Sequence, residues 1–137
     1  MVETQAPAQS QELQFPAGLF GFPDVHRFQL VDVPGAEGIL RQLVAADGQA
    51  GLAFTVAYPF AFFPEYTPEI PDEELAEIGA PTPESILLMA ILQVPAKLQE
   101  TTANLKAPIV VNTKTLQARQ VILSDERQPT KARLFRS

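Results

Sequence analysis

Apolar residues in this chain come in short runs, and proline or glycine closes almost every one. Residues 28–33, 39–44 and 52–57 are runs of this kind with turn signals between them, a pattern that predicts three strands. Residues 86–94, Ile-Leu-Leu-Met-Ala-Ile-Leu-Gln-Val, are apolar nearly throughout and stop at Pro95. Periodicity alone does not assign such a run, but its length and flanks predict a strand covered on both faces. Residues 105–111, broken by Pro108, and residues 118–123 predict two more strands, with residues 112–117 as their hairpin connection. One short helix is predicted after residue 70. Pro71 suits its first position, Asp72, Glu73 and Glu74 suit its first turn, and Gly79 suits a left-handed cap. Leu75 and Ile78, three apart, would anchor it on the sheet. Pro81-Thr82-Pro83-Glu84 predicts a second stop with a single helical turn. With thirteen prolines throughout, the pattern predicts an all-β fold: a small antiparallel barrel-like or sandwich domain with one or two short helices.

Two stretches do not fit simple alternation. Residues 13–23, Leu-Gln-Phe-Pro-Ala-Gly-Leu-Phe-Gly-Phe-Pro, mix large apolar side chains with two Gly and two Pro, which predicts a tightly turned, buried loop. Tyr58-Pro59-Phe60-Ala61-Phe62-Phe63-Pro64-Glu65-Tyr66 concentrates five of the chain's rings around two prolines. Proline offers no N–H to a ladder, so the stretch is expected to be a stiff, extended edge or corner. Alternation would put Phe60 and Phe62 on its core face, and Phe63 on the other. Residues 1–12 are expected to be a loose N-terminal arm, residues 13–128 the β domain, and residues 129–137 a basic C-terminal tail.

Charge sharpens the picture. The 137 residues carry a formal charge of −6, and seven acids (Glu65, Glu69, Asp72, Glu73, Glu74, Glu77 and Glu84) fall between 65 and 84 with no Lys or Arg among them. Nucleic-acid binding is driven by phosphate neutralisation, so no direct nucleic-acid partner is expected. An acidic surface instead suits a basic protein. The absence of Cys excludes disulfides, thiolate metal sites and thiol catalysis, and fits a reducing compartment. Met1-Val2-Glu3-Thr4 is unlike a signal peptide, and the longest apolar run is far short of the roughly 20 residues of a membrane helix. A soluble, cytoplasmic, monomeric protein without membrane contact is expected.

Chemistry is hard to assemble. His26 is the single histidine, beside Asp24, and no Ser sits in a Gly-rich elbow. Glu73 and Glu77 share a helix face but have no His or regular oxygen spacing to complete a metal site. Gly18 and Gly21 open no phosphate-binding turn followed by Lys. No catalytic, metal-binding or cofactor-binding residue is assigned, and the chain is read as a binding protein rather than an enzyme.

Three segments, Phe15-Pro16-Ala17-Gly18-Leu19-Phe20-Gly21-Phe22, Pro59-Phe60-Ala61-Phe62-Phe63-Pro64-Glu65-Tyr66 and Thr102-Ala103-Asn104-Leu105-Lys106-Ala107-Pro108-Ile109-Val110-Val111-Asn112, resemble the flagellar assembly factor FliW family in content, order and spacing. The resemblance implies a cytoplasmic, non-enzymatic protein with a small antiparallel barrel-like fold. It implies binding to newly made flagellin and, alternatively, to the RNA-binding translational repressor CsrA, so that flagellin synthesis is coupled to export. The chain departs from the family at Tyr58, usually Asp, at Thr101, usually Met, at residues 117–119 and at Gln128. A dedicated flagellin chaperone without CsrA control, or a small-ligand-binding barrel, are the alternatives.

Seven residues are candidates for partner contact. Phe63 and Tyr66 are expected to be the partly exposed rings, with Glu65 beside them. Glu73 and Glu77, four apart on one helix face, would meet basic groups on CsrA. Asn104 and Lys106 flank Leu105 before Pro108, where their heads either reach a partner or cap neighbouring backbone.

Overall fold

The computed structural model describes residues 11–49, 51–79 and 82–135. Among the described residues, nine strands follow one another as β1 (Gln11–Gln14), β2 (Arg27–Asp32), β3 (Leu40–Ala45), β4 (Ala53–Ala57), β5 (Ile86–Gln93), β6 (Thr102–Ala103), β7 (Ile109–Asn112), β8 (Ala118–Gln120) and β9 (Ala132–Arg133). Two short helices, α1 (Pro59–Phe62) and α2 (Asp72–Glu77), lie between β4 and β5. Single 3-10 turns occupy Pro83–Ser85 and Leu98–Glu100.

The strand pairings are antiparallel, in the order β1-β2-β3-β4-β5-β6-β9, with β7 beside β5 and β8 beside β7. The sheet curls until Gln14 meets Gln117 in one parallel bridge, where the Gln14 N–H donates to the Leu116 carbonyl at 2.9 Å. That contact, rather than a continuous ladder, makes the domain barrel-like.

β5 is the axis of the fold. Successive side chains on a strand point to opposite faces, and β5 uses both. Met89, with Leu87 and Ile91, joins an inner core containing Leu13, Phe15, Phe28, Leu43 and Ile109. Leu88, Ala90 and Leu92 join an outer core with Phe63, Tyr66, Leu75, Ile78 and Val110. The expected doubly covered strand is therefore present, and its run of apolar residues follows from having no solvent face.

The loop before β2 turns as expected but is buried only in part, with Phe20 53% exposed. Phe15 and Leu19 are buried, and Gly18 adopts φ +70°. A Cβ there would lie 2.5 Å from the Phe22 carbonyl oxygen, so only glycine fits. α2 begins one residue later than expected, with Pro71 as its N-cap, and Gly79 takes the left-handed conformation at its end.

Arm and tail both contribute to the sheet. β1 includes Gln11 and Glu12, which pair with Leu30 and Gln29, while residues 1–10 lie outside the described residues. β9 pairs with β6, and the Leu105 N–H donates to the Pro129 carbonyl, so the sheet continues into the expected tail.

A candidate partner-binding surface

The aromatic stretch is helical at its start, not extended. Pro59 sits at the first position of α1, where a missing N–H costs nothing and a fixed φ is already helical, and the Phe63 N–H closes the turn on the Pro59 carbonyl at 2.8 Å. One turn of helix changes which rings face inward. Phe63 and Tyr66 are buried, each 5% exposed, whereas Phe60 is 47% exposed and leans on Tyr66 with ring centroids 5.8 Å apart. Phe62 is partly buried. The expectation that Phe63 and Tyr66 would be the exposed rings, with Phe60 in the core, is thus reversed.

The segment 102–112 follows one edge of β5 for the strand's whole length. Gln93 pairs with Thr102, the Asn104 N–H donates to the Ile91 carbonyl, and Met89 pairs with Ile109. Residues 105–108 have no partner on β5 and form a largely buried loop that pairs instead with residues 121–123 and Pro129. Asn104 holds this loop: its Oδ1 accepts from the Lys106 N–H at 3.0 Å and the Ala107 N–H at 3.1 Å. Lys106 extends its Nζ to the Asp125 carbonyl at 3.0 Å, and the Leu105 carbonyl accepts the Tyr66 hydroxyl. At the far end, Asn112 donates to the Ile78 carbonyl at 2.9 Å and accepts from the Lys114 and Thr115 N–H groups. The polar heads of Asn104, Lys106 and Asn112 are therefore bound to backbone. Lys106 fastens the 123–128 loop and Asn112 the end of α2 to the sheet, while the Tyr66 hydroxyl fastens the aromatic stretch.

Of the candidate residues, Phe63, Glu65 and Tyr66 come together around a pocket of ≈290 Å³ with Leu105 and Arg133. Glu73 and Glu77 are exposed on α2. Glu74, between them, is ion-paired with Arg119 of β8. Burial pushes the Tyr66 hydroxyl up to about 12, so it is a neutral donor.

A different surface was not evident in the sequence. Ile39, Val94, Leu98 and Phe135 are 55%, 45%, 61% and 51% exposed, and with Phe62 and Leu134 they surround an apolar depression. Phe62 and Phe135 meet edge to face at 6.4 Å. The one polar side chain in its lining, Thr101, donates its hydroxyl to the Leu98 carbonyl at 2.7 Å. These residues come from four separate parts of the chain, and each reads alone as an ordinary surface or strand-end residue. Monomeric surfaces seldom gather apolar side chains in this way without a partner.

The sequence model described as "FliW protein" matches residues 2–134. The chain belongs to the FliW family. It is 50% identical over 122 residues to the flagellar assembly factor FliW of Symbiobacterium thermophilum, covering 89% of this chain and 88% of that one. With the FliW of Syntrophomonas wolfei it shares 35% over 123 residues, covering 90% and 78% respectively. A crystal structure of the flagellar assembly factor FliW superposes with a TM-score of 0.84 at 28% identity, covering 100% of this chain and 91% of that one. Within this FliW fold, Tyr58 lies under the Arg41 guanidinium, 5.5 Å from the ring centroid, and Arg41 also meets Asp32 at 3.2 Å. The tyrosine thus takes part in a cation–π contact at the entry to α1.

Proposed function

We propose that this chain binds newly made flagellin in the cytoplasm and, alternatively, binds the RNA-binding regulator CsrA. Occupation by flagellin releases CsrA to silence the flagellin message, and export of flagellin lets the protein withdraw CsrA. The single observation that carries this reading is membership of the FliW family across residues 2–134. Two surface features support it. The apolar depression around Leu98 suits the apolar face of an unassembled client, and the exposed acids Glu73 and Glu77 suit a basic regulator. The protein acts by occupancy, so coupling between its two partners is a matter of linked binding equilibria. Titration with purified flagellin and purified CsrA, separately and then together, tests it. Each partner is expected to bind at micromolar concentration or below and to weaken capture of the other; binding of neither ends the proposal.

A further inference from the structure

The chain between the aromatic stretch and α2 runs Thr67-Pro68-Glu69-Ile70-Pro71. Pro68 and Pro71 restrict the residues before them to extended backbone, so Thr67 and Ile70 are held open from both directions. Pro71 itself has φ −60° and ψ 146°. Among the described residues, nothing hydrogen-bonds to the backbone of Thr67, Glu69 or Ile70. Thr67 and Glu69 are exposed and Ile70 is half-buried, so the segment presents backbone donors and acceptors that nothing in the described residues uses, a feature that invites another chain to pair with it.

Beside this edge lies a trough. One end opens between residues 67–69 and 123–128, the other between residues 68–75, Ile86 and Ser124, and the two share Pro68, Glu69 and Ser124. Ile70, Leu75 and Ile86 supply apolar surface. Glu69 and Asp72 line it, and among the described residues neither pairs with a Lys or Arg. The basic side chain lining the trough, Arg127, is held by both oxygens of Asp125 at 3.0 and 3.2 Å. The trough lies at the Ile86 end of the outer face of β5 and the apolar depression at the Leu92 end, about 20 Å away at strand spacing.

From this geometry we infer that residues 67–70 and the adjoining trough are a docking edge for an extended, basic polypeptide segment of a protein partner. An extended segment can pair with the open backbone donors and acceptors, whereas a helix satisfies its own backbone and leaves them bare. Alternate side chains of such a segment would reach the apolar floor, and lysine or arginine between them would meet Glu69 and Asp72. The inference assigns a surface and a partner chemistry, and does not depend on which flagellar protein supplies the segment.

Amide chemical-shift mapping of the full chain with a blocked peptide of alternating Lys and Val tests it, with the same peptide carrying Glu for Lys as the control. Shifts are expected at Thr67, Glu69, Ile70 and the 123–125 backbone. Affinity should fall about ten-fold in the Glu69→Lys/Asp72→Lys double variant and with added salt. An N-methylated version of the peptide, unable to donate backbone hydrogen bonds, should bind at least about ten-fold more weakly. No shifts at millimolar peptide, shifts centred elsewhere, equal binding of the acidic peptide, or undiminished binding of the N-methylated peptide would each overturn the inference. Because neither flagellin nor CsrA is used, its failure is distinguishable from failure of the proposed function.

Discussion

The Tyr66 hydroxyl donates to the Leu105 carbonyl across 2.6 Å, joining the aromatic stretch to the loop that leaves β5. Both residues are buried, so each is the other's means of satisfying a polar group away from water. Two of the three segments that mark the family are linked here, and the link is structural.

Tyr66→Phe is therefore expected to destabilise the protein by about 1–2 kcal/mol, since it leaves the Leu105 carbonyl without a partner. Urea unfolding checks this. The pH dependence has a definite sign. Folding raises the Tyr66 pKa from 10.0 to about 12, so its contribution is complete below 10 and is lost as pH rises from 10 towards 12. In the Phe variant that part of the alkaline loss should disappear; an unchanged alkaline limb would show that Tyr66 is not its source.

Asn104→Ala removes the acceptor for two N–H groups and should cost about 1–2 kcal/mol. Asn104→Asp keeps an acceptor and should lose less. Thermal melts of the two variants separate this capping role from partner contact, because a residue acting only on a partner would leave both melting temperatures unchanged.

Gly18→Ala places a methyl group against the Phe22–Pro23 backbone at a positive φ, with no flexible side chain to give way. A loss of about 2–3 kcal/mol is expected from strain of this kind. Gly21, also at positive φ, has nothing within 4 Å of an added Cβ and should be less sensitive. Comparing the two by denaturant midpoint tests whether close backbone approach, rather than φ alone, requires the glycine.

Val94→Lys and Leu98→Lys alter the apolar depression where side chains are already exposed, so stability should change by within about 0.5 kcal/mol. Affinity for flagellin is expected to fall at least about ten-fold, because a charge then faces an apolar contact. Calorimetric titration reads both variants, and unchanged affinity would remove the depression from the flagellin surface.

Much of the fold was legible along the chain. Ile86 to Gln93 reads as a doubly covered strand because every position up to Leu92 is apolar, and β5 has a core on each face. Gly79 and the acids after Pro71 mark both ends of α2 within a residue. The errors have local causes. Proline in the aromatic stretch excludes an interior strand, but it equally permits a first helical turn, and nothing in the stretch itself decides between them. The strand expected from residue 105 starts at Ile109 because Asn104 draws the intervening N–H groups into a loop.

By itself, the sequence determined the alternation that makes an all-β domain, the acidic character of one region, and the three segments that mark the FliW family. These follow from residue type and near-neighbour spacing, which are local properties of the chain. Only the tertiary structure decided that Phe63 and Tyr66 face inward, that Asn104 and Lys106 are bound to backbone, and that Ile39, Phe62, Leu98 and Phe135 share one surface. Those outcomes depend on contacts between residues far apart in the chain, and a side chain's exposure is set by whatever the fold brings against it.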